Sequence, residues 1–292
     1  MASVKRTEAR RMIRRYFKSP TNVLGTVLLI FFVIIAIMAP VICPPKAGAD
    51  PYKIPIATWS SAPQAPSADH PFGVIGGRDI FYGVIWGTRA AFNIGLVVSL
   101  ISAAIGIIVG SVSAYFGGWV DEVIMRITDI FMSIPFLVAA MIMTTILGKG
   151  LDNVMIALII FGWMRVARLI RGNILQAKSE QYVLAAKALG IGDAKIIFKH
   201  ILPNTIFPVV VQISMRIGSL VITAASLSFL GVGAEPGYAD WGTILSYSRN
   251  WMTELDKSWF AIAYPGVAMI LFVLAWNLVG DGLRDTFDPK MK

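Results

Sequence analysis

Residues 183–204 read VLAAKALGIGDAKIIFKHILPN: two short helical stretches, hinged at Gly190 and Gly192, set between long apolar runs. Glu180 stands near the start of the first stretch, where a carboxylate suits the helix dipole. A helix is therefore expected over Ser179 to Leu189, ended by the two glycines. Asp193 is placed to cap a second helix through Ile196, Ile197 and Phe198, which stops at Pro203. Val183, Ala185, Ala186 and Leu189 give the first helix a compact apolar surface, while Lys178 and Lys187 stay solvated. Two readings fit this pattern: a helix lying on a membrane surface, or one that slots into the groove of a partner protein.

The surrounding chain is 56% hydrophobic and 15% charged, against about 25% charged for a soluble domain. Runs of ~20 apolar residues, the length needed to cross a bilayer, fall at Val23 to Ile42, Ala91 to Tyr115, Ile130 to Leu147, Val154 to Leu169, Phe207 to Leu230 and Phe260 to Val279. Six spans place both termini on one side. Lysine and arginine crowd that side: Lys5, Arg6, Arg10, Arg11, Arg14, Arg15 and Lys18 in the N-terminal tail, and Arg165, Arg168, Arg171, Lys178, Lys187, Lys195 and Lys199 between spans four and five. Arg126, Arg284, Lys290 and Lys292 add to them, whereas the other face holds Lys46, Lys53, Arg78, Arg89, Lys149, Arg249 and Lys257. The positive-inside bias puts the termini and residues 183–204 in the cytoplasm.

The net charge of +9 reflects this topology signal. The cations sit beside apolar spans without interleaved aromatics, so no nucleic-acid partner is expected. The single cysteine, Cys43, can form no intramolecular disulfide, and Ile42 before it is too large for a lipoprotein cleavage site.

Outside the membrane, Cys43 to Gly87 is proline-rich and polar, which predicts an irregular excursion with little helix. A loop of about six residues between spans three and four forces an antiparallel pair. Gly231 to Trp259, with GVGAEPGYADWG, is long enough either to meet a partner or to pack as a lid on its own subunit.

Within the membrane, Ser102, Gly106, Gly110 and Ala114 recur every four residues on span two, a close-approach surface used within bundles and between subunits alike. Arg216 lies about 13 Å into span five, with Gln212 one turn earlier. The pair either lines a polar translocation path, or Arg216 snorkels to the cytoplasm or meets an acid such as Asp129.

Several chemistries are missing. The only Gly-Lys pair, Gly148-Lys149, is followed by Gly150, so no P-loop is present. His70 and His200 are expected on opposite faces and cannot share a metal. Ser99, Ser102, Ser111 and Ser113 have no histidine in any span to activate them, so no catalytic residue is assigned.

Tyr182, Val183, Ala185, Ala186, Gly190, His200, Leu202, Pro203 and Asn204 match the pattern Tyr-Val-x-Ala-Ala, Gly, His-x-Leu-Pro-Asn. That pattern resembles the cytoplasmic loop of ABC importer permeases of the peptide/nickel branch. In the wider family a glutamate stands where this chain has Leu184 and an isoleucine where it has His200. HPFGVIGGRDIFYGVIWGTRAAF, YFGGWVDEVIMRITDIFMSIP, SLSFLGVGAEPGYADWG and NLVGDGLRDTFDP are similar to further segments of the same branch, so the resemblance covers nearly the whole chain. It implies an all-α membrane protein with the type I ABC importer permease fold. The chain then divides into an N-terminal tail, first span and outer loop (1–87), a five-helix core (88–281) carrying a coupling segment (178–204), and a C-terminal tail (282–292).

The resemblance further implies a heterodimer with a sister permease, two ABC ATPase subunits that hold ATP and magnesium, and an extracytoplasmic substrate-binding protein, with no cofactor or metal on this chain. It assigns Tyr182, Val183, Ala185, Ala186, Lys187, Leu189, Gly190, His200 and Pro203 to the ATPase contact. Glu235, Tyr238, Asp240 and Trp241 become candidates for the binding-protein contact, and Gln212 and Arg216 for the path. The implied cargo is a di- or oligopeptide, a nickel chelate or glutathione, moved by alternating access. A self-sufficient secondary transporter is the competing class; it would show inverted repeats or several buried ionisable groups.

Overall fold

A computed structural model describes residues 12–287. The tail cations Lys5, Arg6, Arg10, Arg11, Lys290 and Lys292 lie outside the described residues. Among those described, five helices are long and apolar enough to cross a membrane, six spans when one bent pair is counted as a span.

Helix α1 (Pro20–Ile42) opens on a proline, whose missing N–H costs nothing in a first turn. One side is free and apolar through Leu24, Val27, Ile30, Phe31, Ile34 and Ile37. Its other side packs on α11 (Leu255–Phe287), where a Cβ on Gly25 would fall 2.5 Å from Leu278 Cβ.

After α1 the outer segment is irregular, as expected, but it contains a hairpin of β1 (Val74–Ile75) and β2 (Arg78–Asp79). Gly76 and Gly77 turn it with φ of 57° and 74°, the left-handed geometry of a tight hairpin turn. Asp79 then caps α2 (Ile80–Phe116), its Oδ1 accepting from the Tyr82 N–H at 3.0 Å. The expectation of little helix up to Gly87 is corrected: α2 begins at Ile80 and the domain boundary at 87/88 falls inside it, as 281/282 falls inside α11. At 37 residues, α2 runs ~55 Å and outreaches the ~30 Å hydrocarbon.

The third span is also corrected. It is not one helix over Ile130 to Leu147 but α3 (Gly118–Met132) and α4 (Phe136–Leu147), meeting at 85°. Pro135 caps α4 and has no N–H with which to continue α3. Charge separates the halves too, since α3 carries Asp121, Glu122, Arg126 and Asp129 and α4 carries none. α4 pairs with α5 (Leu151–Ala177) across three residues.

The small-residue face of α2 is an intramolecular seam with α5. Ser102 abuts Gly162, a Cβ on Gly106 would lie 2.6 Å from Val166 Cβ, and one on Gly110 would collide with the Ala167 backbone. Gly110→Val is expected to abolish accumulation of folded chain, because neither backbone can yield at that crossing. Membrane abundance measured by immunoblot checks this, with Val112→Ala on the free side of α2 as the neutral control.

The cytoplasmic segment comprises α6 (Gln181–Ala188), α7 (Asp193–Ile196), a π-helical turn at Ile197–Ile201 and α8 (Leu202–Thr205). Helix α9 (Phe207–Phe229) then returns through the membrane, and α10 (Trp241–Ser248) lies in the third outer loop before α11.

Candidate functional site: the cytoplasmic coupling segment

Helix α6 ends in a Schellman motif. The Ile191 N–H donates to the Ala186 carbonyl at 3.2 Å and the Gly190 N–H to the Lys187 carbonyl at 2.9 Å. Gly190 sits at φ 73°, which only glycine adopts without strain. Gly192, with Asp193 after it, is the cap of α7, so Asp193 occupies the first turn and not the capping position expected of it.

The helix buries one side in its own subunit. Val183 (0% exposed) and Ala186 (5%) pack with Ile170 and Ile174 of α5 and with Ile196, Ile197 and Ile201. These two residues, expected on the partner face, therefore point inward. The free face is formed by Tyr182, Leu184, Ala185, Lys187 and Leu189, with Leu189 80% exposed, and Phe198 of the π-helical turn is exposed too. Leu184 and Phe198 were missed from the sequence; the helical phase that buries Val183 and Ala186 would have turned Leu184 outward. His200 lies half-buried in the π turn, Pro203 is exposed, and Gly190 is open to solvent.

A polar contact ties the start of this segment to α2, and an ionic cluster ties α2, α3 and α5 to one another beside it. Lys178, three residues before α6, donates through Nζ to the carbonyls of Ala114 and Tyr115, capping the C-terminal turn of α2. Partial burial pulls its ammonium pKa below the usual value, and Lys187 adds to the shift. Arg171 of α5 grips Asp121 of α3 with Nε and Nη2, both at 2.5 Å, and the Ser113 hydroxyl of α2 donates to the same carboxylate. Helix α6 thus packs directly on α5 through Val183 and Ala186, and α5 is tied in turn to α2 and α3 through Asp121.

Deeper in the membrane, Arg216 donates through Nη1 to the Gly162 carbonyl at 2.7 Å. Asp129, suggested as its partner, is paired instead with Arg168. Gln212, one turn before Arg216, has a buried Oε1 without a hydrogen-bond partner.

Over residues 102–292 the chain matches the family model "Binding-protein-dependent transport system inner membrane component". The chain belongs to this family. Residues 7–63 match a second model, the N-terminal TM domain of oligopeptide transport permease C. A glutathione transport system permease protein of Pectobacterium atrosepticum is 38% identical over 98% of this chain and 93% of its own. A dipeptide transport system permease protein of Alkalihalophilus pseudofirmus is 35% identical, over 97% and 90%. An inward-facing structure of the MetNI methionine ABC transporter shares the fold at a TM-score of 0.59 and 19% identity, covering 72% of this chain and 98% of its own. The protein is a multi-pass membrane permease of the type I importer fold.

On the outer face of the permease the loops are sewn into one plate. The Ile54 N–H donates to the Gly237 carbonyl at 2.9 Å, Tyr52 stacks on Tyr238 with centroids 5.4 Å apart, and the Arg78 guanidinium reaches the Ile54 carbonyl. The Trp241 indole N–H bonds the Val84 carbonyl at 3.1 Å. Trp241 (1% exposed) and Asp240 (5%) lie inside the plate, so they are corrected from partner contacts to packing residues. Tyr238 is half-buried in its stack, and of the candidates only Glu235 is exposed. Asp240 caps α10 through the Thr243 N–H at 3.1 Å. Burial raises its carboxyl pKa despite that bond, so the plate's stability is greatest where Asp240 is protonated and falls as pH rises through its pKa.

Proposed function

We propose that this permease is one of two six-span subunits of an ATP-driven importer for di- or oligopeptides, a class that includes the tripeptide glutathione. The free face of α6 is the supporting observation: an apolar helix, anchored by its buried side and exposed through Leu184 and Leu189 on the cytoplasmic side, fits the cleft of a separate motor subunit. The chain has no phosphate-binding loop of its own, so ATP and magnesium would sit on two partner ATPases and this subunit would be non-catalytic. Nucleotide closure would draw the coupling segments together, and a binding protein would deliver cargo to the outer plate near Glu235. ATP can shift the membrane helices only by contacts that differ between the two states.

The test is purification of the complex in mild detergent, reconstitution into vesicles, and uptake of a labelled dipeptide and of labelled glutathione. ATP-dependent uptake that needs the binding protein is expected. Uptake by this chain alone, driven by an ion gradient without ATP, would overturn the reading.

A further inference from the structure

Helix α9 carries a polar stripe. Gln212, Arg216, Ser219, Thr223 and Ser226 recur at intervals of four and three residues, so they share one side of the helix. Ser219 is exposed, and Arg216, Thr223 and Ser226 are half-buried. Their hydroxyls turn back on their own helix: Ser219 to the Arg216 carbonyl at 2.9 Å, Thr223 to the Ser219 carbonyl at 2.8 Å, Ser226 to the Ile222 carbonyl at 2.8 Å. None of these three hydroxyls ties α9 to a neighbour. The free side of α1, by contrast, is apolar along its length.

Arg216 supplies the charge. Its contact among the described residues is the Gly162 carbonyl, a neutral acceptor, and Arg165 stands within one helical turn of that acceptor on α5. An arginine held at depth without a carboxylate is costly unless water or an anion meets it. Two cations in one place give that part of the membrane a positive potential.

We propose that Arg216 is an anion-selecting residue of this permease, meeting the carboxylate of the permeant where it passes the hydrated polar face of α9. The role of the carboxylate rests on the peptide-import reading above; the hydration and the sign of the potential do not.

The test uses the assembled transporter with Cys43→Ala, which removes the sole cysteine, and Thr223→Cys. The thiol is probed with anionic sulfonatoethyl and cationic trimethylammonioethyl methanethiosulfonates, each rate normalised to free cysteine. Labelling is expected, with the anionic reagent faster by roughly tenfold. Arg216→Gln should reduce the preference severalfold, and Arg216→Lys, which keeps the charge, should retain it. The same reagents should leave Ile34→Cys on the lipid side of α1 unmodified. Absence of labelling in the Thr223→Cys variant in every nucleotide state, or labelling without charge preference, would overturn the proposal. These rates require no uptake, so they fail independently of the peptide reading. Where peptide uptake is measurable, Arg216→Gln should slow a dipeptide with a free carboxylate about tenfold more than its C-terminal amide. Equal slowing of both would reduce Arg216 to a pin on Gly162.

Discussion

Leu189→Glu is expected to leave the permease in the membrane at normal abundance while reducing ATP-driven uptake by tenfold or more. Leu189 is 80% exposed, so the folded subunit loses little by the change. A partner cleft that buries the leucine would lose about 1.5–3 kcal/mol, roughly 10- to 100-fold in docking, and desolvation of the new carboxylate would add to that loss. Ala186→Glu should behave differently. Its side chain would enter the cluster around Ile170 and Ile174, a placement that costs several kcal/mol for an unpaired charge. That variant should lose abundance as well as transport. Co-purified ATPase, immunoblot abundance and vesicle uptake separate the two. Normal uptake by Leu189→Glu at normal abundance would remove the free face of α6 from the motor contact.

The contrast between these variants shows what was readable beforehand. Helix α6 was legible because its end is written locally, in the glycine at residue 190 that the Schellman turn requires. Which side faced outward was not, since eight residues with several alanines carry little amphipathic signal and the packing partner, α5, lies elsewhere in the chain. Hydropathy placed the spans, but a length criterion cannot see a bend, and so Pro135 passed as an interruption within one run. The early start of α2 was hidden by the polarity of its first turns, although Asp79 was available as a cap. The Gly76-Gly77 pair flanked by Val-Ile and Arg-Asp was a readable hairpin that proline content obscured. The outer plate was least legible, because bonds such as Trp241 to Val84 join residues 157 apart. Trp241 is buried by an early turn of α2, a partner that nothing in the sequence around residue 241 announces.

The second large effect should arise at Asp121. Its carboxylate is held by both Arg171 contacts and by the Ser113 hydroxyl, so α2, α3 and α5 meet on one acid. With side chains 16% and 31% exposed, the pair is shielded enough for a charge-assisted, bidentate bond to matter. Asp121→Asn preserves the shape and removes the charge, leaving Arg171 without its counter-ion at a cost of about 2–3 kcal/mol. α6 would still dock, since its free face is untouched. The motion it passes to α3 would be weakened, because the acid that joins α3 to the α5 end would no longer hold both. ATP hydrolysis by the complex should therefore persist while uptake falls by tenfold or more. Arg171→Gln should do the same, and the double variant should be no worse than either single one, as expected of residues acting as a unit. Additive losses in the double variant, or hydrolysis falling in step with uptake, would mean that the acid holds the fold together without carrying the stroke.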